Sequence, residues 1–217
     1  MMELPITLYV VDDDEALRKS SLMLLFSQGL PVQAFSGGEA FLAGTDLQKP
    51  GCVILDLRMQ GMSGLSVFDA LRQAHSPLVT LFLSGHGDIP TAVEAIRQGA
   101  FDWVVKPDTQ ALLHKLPAAI AEARSRAQAQ QLWHELTPRE REVAHLVASG
   151  QPNKEIARLV NPPCSPRSVE THRASVFAKL HMANASELGR WLAENAWMGK
   201  ENPPIKDARP PHQGSHA

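Results

Sequence analysis

Hydrophobic residues in the first half of the chain come in short unbroken runs, separated by stretches where they recur at helical spacing. Ile6–Val11 (ITLYVV) is a run of strand length. In EALRKSSLMLLFSQ, Leu17, Ser21, Leu24 and Leu25 share one helical face, and Gly29 stops the helix. A short strand in PVQAF follows, then a short helix at Gly38–Ala43, and then the strand CVILD ending at Asp56. The pattern continues with a helix at Leu65–Gln73, a strand at Leu78–Leu83, the helix PTAVEAIRQ and a fifth strand at Asp102–Val105. Pro90 fits a first helical turn and Gly99 a helix C-cap. Strands alternating with helices predict a parallel sheet covered on both faces.

The second half carries no strand pattern. Residues 109–134 are rich in Ala and Gln with helical periodicity, and Pro117 is expected to kink or break that helix. Thr137, Pro138 and Glu140 read as N-cap, N1 and N3 of a helix with a capping box, ending at Gly150. Helices are predicted at Lys154–Val160, from Pro166 (capped by Ser165) to about Leu180, and at Ala185–Met198. Two short helices joined by a turn inside a four-helix module suggest a helix-turn-helix. The expected organisation is an α/β domain at 1–122, a helical linker at 123–135, an all-α domain at 136–198 and a Pro-rich disordered tail at 199–217.

Charge separates the halves. Residues 1–107 carry 7 Lys/Arg against 12 Asp/Glu, whereas residues 137–200 carry 9 against 6. Only the back half is expected to meet a polyanion. No apolar run reaches the roughly 18 residues of a membrane helix. No secretory signal is visible at the N-terminus. Cys52 and Cys164 fall in different predicted domains, which fits a reducing cytoplasm better than a disulfide framework.

The chemistry sits at the predicted strand ends, where open α/β sheets build their sites. Strand one ends in Asp12, Asp13 and Asp14, strand three in Asp56, strand four in Ser84 and strand five in Lys106. Asp14 reads as a helix start. The other carboxylates would repel each other unless a cation neutralised them. Oxygen-only ligands with room for water suit Mg²⁺. A carboxylate nucleophile, a divalent cation, a lysine and a hydroxyl are what an aspartyl-phosphate requires. An aspartate after a strand is more often a plain turn residue, but four such strand ends together are hard to explain that way.

The motifs VVDDDEALRKS, VILDLRMQGMSG and LFLSGHGDIPTAVEAIRQGAFDWVVKP, in that order and spacing, resemble the receiver domain of two-component response regulators. LTPREREVAHLVASGQPNKEIARLV with SPRSVETHRASVFAKL resembles the LuxR-type helix-turn-helix. Together they resemble FixJ-like regulators of the NarL/LuxR class. The resemblance implies a flavodoxin-like, doubly wound, five-stranded receiver followed by a four-helix output module. It implies Asp56 as phosphoacceptor, and Mg²⁺ held by Asp12, Asp13, Asp56 and the Arg58 backbone carbonyl. It implies Ser84 as switch hydroxyl, Trp103 as switch aromatic, Lys106 as phosphate-binding lysine, and Arg58 and His86 as positions that tune dephosphorylation. Gln60 stands where the family pattern has Pro, and Asp108 where it has Phe. These departures are expected to loosen the loop and alter the switch geometry.

In the predicted recognition helix, Val169, Val176 and Leu180 should face the core, and Arg167, Glu170, Thr171, Ala174 and Ser175 the opposite side. The resemblance assigns Glu170, Thr171 and Ala174 to bases, and Lys154, Arg167, Arg173 and Lys179 suit phosphates. The turn before this helix is two residues longer than the family spacing, which is expected to shift the helix. The implied partners are a sensor histidine kinase, double-stranded promoter DNA, a second copy when phosphorylated, and RNA polymerase, with no membrane. Two rivals stand beside this regulator. A Mg²⁺-dependent phosphohydrolase would need a second acid–base Asp where position 58 is Arg, so no enzyme is expected. A protein-interaction output would follow if the lengthened turn ended DNA reading.

Overall fold

A computed structural model describes residues 6–85, 89–106 and 108–198. His86 and the tail predicted to be disordered lie outside the described residues. Five parallel strands, β1 (Thr7–Val11), β2 (Val32–Phe35), β3 (Gly51–Asp56), β4 (Val79–Ser84) and β5 (Asp102–Val105), form one sheet in the order β2-β1-β3-β4-β5. The first strand after each helix lies beside its predecessor, except that β3 returns to the other side of β1. The order therefore reverses between β1 and β3, and the crevice at that switch point opens at their C-terminal ends.

β3 and β4 are buried along their whole lengths, which explains their unbroken apolar runs. One face of the sheet (Leu8, Val10, Ile54, Leu81) packs on Leu25 of α1 (Glu15–Ser27) and on Leu112, Leu116, Ala119 and Ala123 of α5 (Thr109–His134). The other face (Val11, Val53, Leu55, Phe82) packs on Phe41 of α2 (Gly38–Gly44) and on Val67, Phe68 and Leu71 of α3 (Gly64–Gln73). α4 (Ile89–Arg97) adds Ala95 and ends in Gly99 at φ 101°. α1 is less amphipathic than its leucines suggest: of its residues only Leu25 is buried, and Leu17, Met23 and Phe26 are exposed.

Pro117 does not break α5, which runs unbroken for 26 residues. Proline removes one backbone donor, and the surrounding packing of Leu112, Leu116 and Ala119 carries the helix across that gap. Ala127 still belongs to the sheet's core, while Leu132 and Trp133 already pack in the core of the helical module. That module comprises α6 (Pro138–Ala148), α7 (Asn153–Leu159), α8 (Pro166–Lys179) and α9 (Ala185–Glu194) around Val143, Ile156, Val169, Val176 and Leu188. The last helix is shorter than predicted. It caps at Asn195, and residues 196–198 form a separate 3-10 turn. No helix among the described residues is long and apolar enough to cross a membrane.

Candidate functional site

Adjacent register brings the strand-end carboxylates together. Val11 pairs with Leu55, so Asp12 and Asp56 emerge side by side from β1 and β3. Asp12, Asp13 and Asp56 each place a carboxylate oxygen within 4.8 Å of the others. Asp12 and Asp56 are buried and Asp13 is half-buried. Lys106, just beyond β5, reaches between them, with Nζ 2.7 Å from Asp12 Oδ2 and 3.1 Å from Asp56 Oδ2. Asp12 and Asp56 thus share one ammonium, with the Asp13 carboxyl close by. Burial pushes the Asp56 carboxyl above its usual range; Lys106 opposes this, Asp12 adds to it, and the Arg58 backbone amide opposes it. Burial pulls the Lys106 ammonium down, but hydrogen bonding and attraction from Asp12 and Asp56 win and raise it. A small hard divalent cation fits this donor set: oxygen ligands, clustered, buried and under-neutralised.

Ser84 ends β4 and is buried, and its carbonyl accepts from the Lys106 backbone N–H at 2.7 Å. Trp103 lies on β5, partly buried, its ring 5.6 Å from that of Phe82. Lys115 on α5 holds the neighbouring backbone, donating to the Trp103 carbonyl at 3.0 Å and pairing with Asp102 at 2.6 Å. Arg58 is exposed in the β3–α3 loop. Gly64 is required where α3 begins: a Cβ there would sit 2.1 Å from the Asp56 carbonyl oxygen.

The helical module presents a separate surface. Arg167, Glu170, Thr171 and Ala174 on α8 are exposed, as is Lys154 on α7. Val169, Val176 and Leu180 are buried as predicted. Arg173 is half-buried, donating to Asn153 Oδ1 at 2.9 Å and lying over the Phe177 ring. Two residues placed on the reading side have inward partners. Lys179 donates to Glu140 Oε2 at 2.7 Å and to the Glu135 carbonyl at 3.1 Å, and the Ser175 hydroxyl donates to Glu140 Oε1. The long turn is strapped to α6. The Asn161 N–H donates to Glu142 Oε1 at 2.8 Å, Arg139 donates to the Pro162 carbonyl, and Arg139 pairs with Glu142 at 2.8 Å.

The response regulator receiver domain family matches residues 8–117, and the luxR family of bacterial regulatory proteins matches residues 134–192. The tetrathionate response regulatory protein TtrR of Salmonella typhimurium is 41% identical over 188 residues, covering 85% of this chain and 90% of that protein. The transcriptional regulatory protein FixJ of Bradyrhizobium diazoefficiens is 38% identical over 199 residues, 88% of this chain and 96% of that one. The chain is a two-component response regulator. Among solved structures, full-length FixJ from B. japonicum aligns over 88% of this response regulator with 36% identity and a TM-score of 0.51. The regulator therefore joins a receiver to a LuxR-type DNA-binding module and regulates transcription in dependence on phosphorylation.

Arg18 escaped the sequence reading, and so did what Gln60 and Asp108 do in the regulator. Arg18, one turn into α1, donates from Nη1 to the carbonyls of Asp12 at 2.8 Å and Asp13 at 3.4 Å. Its signal was an arginine a helical turn behind the acidic run. The backbone N–H of Gln60 donates to Asp13 Oδ2 at 2.8 Å, a bond no side-chain pattern announces. Asp108 caps α5, its carboxylate accepting from the Ala111 N–H at 2.8 Å. Its departure from the family residue thus has a local structural use.

Proposed function

We propose that Asp56 accepts the phosphoryl group and that α8 carries the outcome to promoter DNA. The observation that carries this is Asp56 at the switch-point crevice, with two further carboxylates and the Lys106 ammonium beside it. An Asp56 oxygen attacks phosphorus on a phosphohistidine of the sensor kinase. The O–P bond forms as the N–P bond breaks, and the electron pair returns to the imidazole, which takes a proton. Lys106 neutralises charge on the phosphoryl oxygens. Asp12, Asp13, Asp56 and the Arg58 carbonyl would hold Mg²⁺, which would supply the remaining neutralisation. Replacing Asp56 with Asn and offering acetyl phosphate with Mg²⁺ tests the assignment. Wild type should gain one phosphoryl group by mass and the Asn form none; equal labelling would refute it.

The burial of Ser84 and the contact of Trp103 with Phe82 support a discrete switch. The Ser84 hydroxyl turns to a phosphoryl oxygen and Trp103 moves into the space it leaves, changing the face around α4 and β5. Dimers then place two α8 helices on half-sites about 10 bp apart. Glu170, Thr171 and Ala174 meet bases, while Lys154, Arg167 and Arg173 meet phosphates. Lys179 is better explained as the partner of Glu140. Phosphorylated protein should bind an inverted repeat tightly, with affinity that falls sharply as salt rises. A fragment from Leu136 onward that folds yet binds no DNA at any salt concentration would favour a protein-interaction output instead.

A further inference from the structure

The acidic pocket is built from two loops, and one hydrogen bond ties them together across the crevice. The Gln60 N–H, in the β3–α3 loop, donates to Asp13 Oδ2 at 2.8 Å, joining residues 47 positions apart. The backbone of the β1–α1 loop is fixed independently: Arg18 holds the Asp12 and Asp13 carbonyls, and the Asp14 N–H donates to Asp12 Oδ1 at 2.9 Å. Asp12 is further held by Lys106, at 2.7 Å. Among the described residues no lysine pairs with Asp13, and the Gln60 amide is the contact seen on its carboxylate.

We propose that the Gln60 backbone amide is a positioning group for the divalent cation. It engages one oxygen of Asp13 and so presents the other to the cluster formed with Asp12 and Asp56. This rests on the reading of those three carboxylates as a divalent-cation pocket. Outer groups that orient a ligand carboxylate typically govern metal affinity by 10- to 100-fold, because a ligand already aimed loses less freedom on binding. Proline at position 60 has no N–H and cannot make the bond; alanine keeps it.

The test uses the full chain and Mn²⁺ as the metal probe, since the same oxygen donor set accepts it. Binding is read from the loss of the free-ion electron paramagnetic resonance signal. Gln60→Pro should weaken Mn²⁺ binding roughly tenfold, and Gln60→Ala should leave it at the wild-type value. Unchanged or tighter binding by Gln60→Pro overturns the inference, as does weakening of equal size in Gln60→Ala. If wild type binds no more Mn²⁺ than the Asp12→Ala/Asp13→Ala variant, the cation pocket itself is refuted and the inference falls with it. Hydrogen exchange on metal-free protein gives a second reading that needs no proline variant. The Gln60 amide should be protected in wild type and exchange at least tenfold faster in Asp13→Ala; an equal rate overturns the inference.

Discussion

Asp56 and Glu140 are both buried carboxylates with a lysine beside them, and they are held in opposite ways. Glu140 is saturated. Burial alone would raise its carboxyl, but Lys179, the Ser175 hydroxyl and the Thr137 backbone and side chain together hold it down at about 2. Asp56 shares Lys106 with Asp12, has a second acid beside it, and is pushed up. A carboxylate supplied with donors on every side locks structure, here the start of α6 to the end of α8. One left short of positive charge is ready for an incoming cation and an electrophile. Solvent barely reaches either group, and the difference in donor supply adds to the burial that raises Asp56.

The contrast can be broken most forcefully at the two lysines. Lys106→Met leaves Asp12 and Asp56 without their ammonium, and should lower receiver stability by about 3 kcal/mol in metal-free buffer. Thermal unfolding should show much of that loss recovered in Mg²⁺, because a cation can take the lysine's place. Lys179→Met should show no such recovery. If neither variant responds to Mg²⁺, the two carboxylates are not different in kind.

A smaller effect is expected from Glu140→Gln, on the order of 2 kcal/mol after allowing for the partial exposure of Lys179. The pH dependence follows from the depressed value. The folded carboxyl lies below its unfolded 4.5, so its stabilisation is complete above that pH and is lost as pH falls toward about 2. Wild type and Glu140→Gln should therefore differ in unfolding midpoint at pH 6 and converge near pH 2. A gap that stays constant with pH would mean the glutamate acts by shape alone. The smallest change, Asp108→Ala, removes only a cap from α5 and should cost about 1 kcal/mol in the same melts, with acetyl-phosphate labelling intact.

Much of this contrast was legible beforehand on one side only. Asp12, Asp56, Ser84 and Lys106 could be placed together because a parallel sheet collects its strand ends at one edge, so chain position implies spatial position. The Glu140 network lacks such a rule. Its capping box with Thr137 is local and was readable, but Ser175 and Lys179 lie 35 and 39 residues away on another helix. Helical spacing places a residue on a face but says little about how far a long side chain folds back. The Gln60 amide was invisible for a different reason: every residue but proline has an N–H, so composition cannot mark the one that matters. Pro117 was overread, because its local cost was judged without the packing on either side of it.

The 26-residue α5 belongs to both hydrophobic cores, from Leu112 to Ala127 in one and at Leu132 and Trp133 in the other. At 1.5 Å per residue it is a shaft about 39 Å long. Its two ends are geared together: each residue added between Ala127 and Leu132 turns the output module by about 100° about the shaft and advances it about 1.5 Å. Evolution can therefore change the length of this segment only in helical steps. Two extra residues would face the module roughly backwards, whereas seven would return it close to its original azimuth, two turns further out.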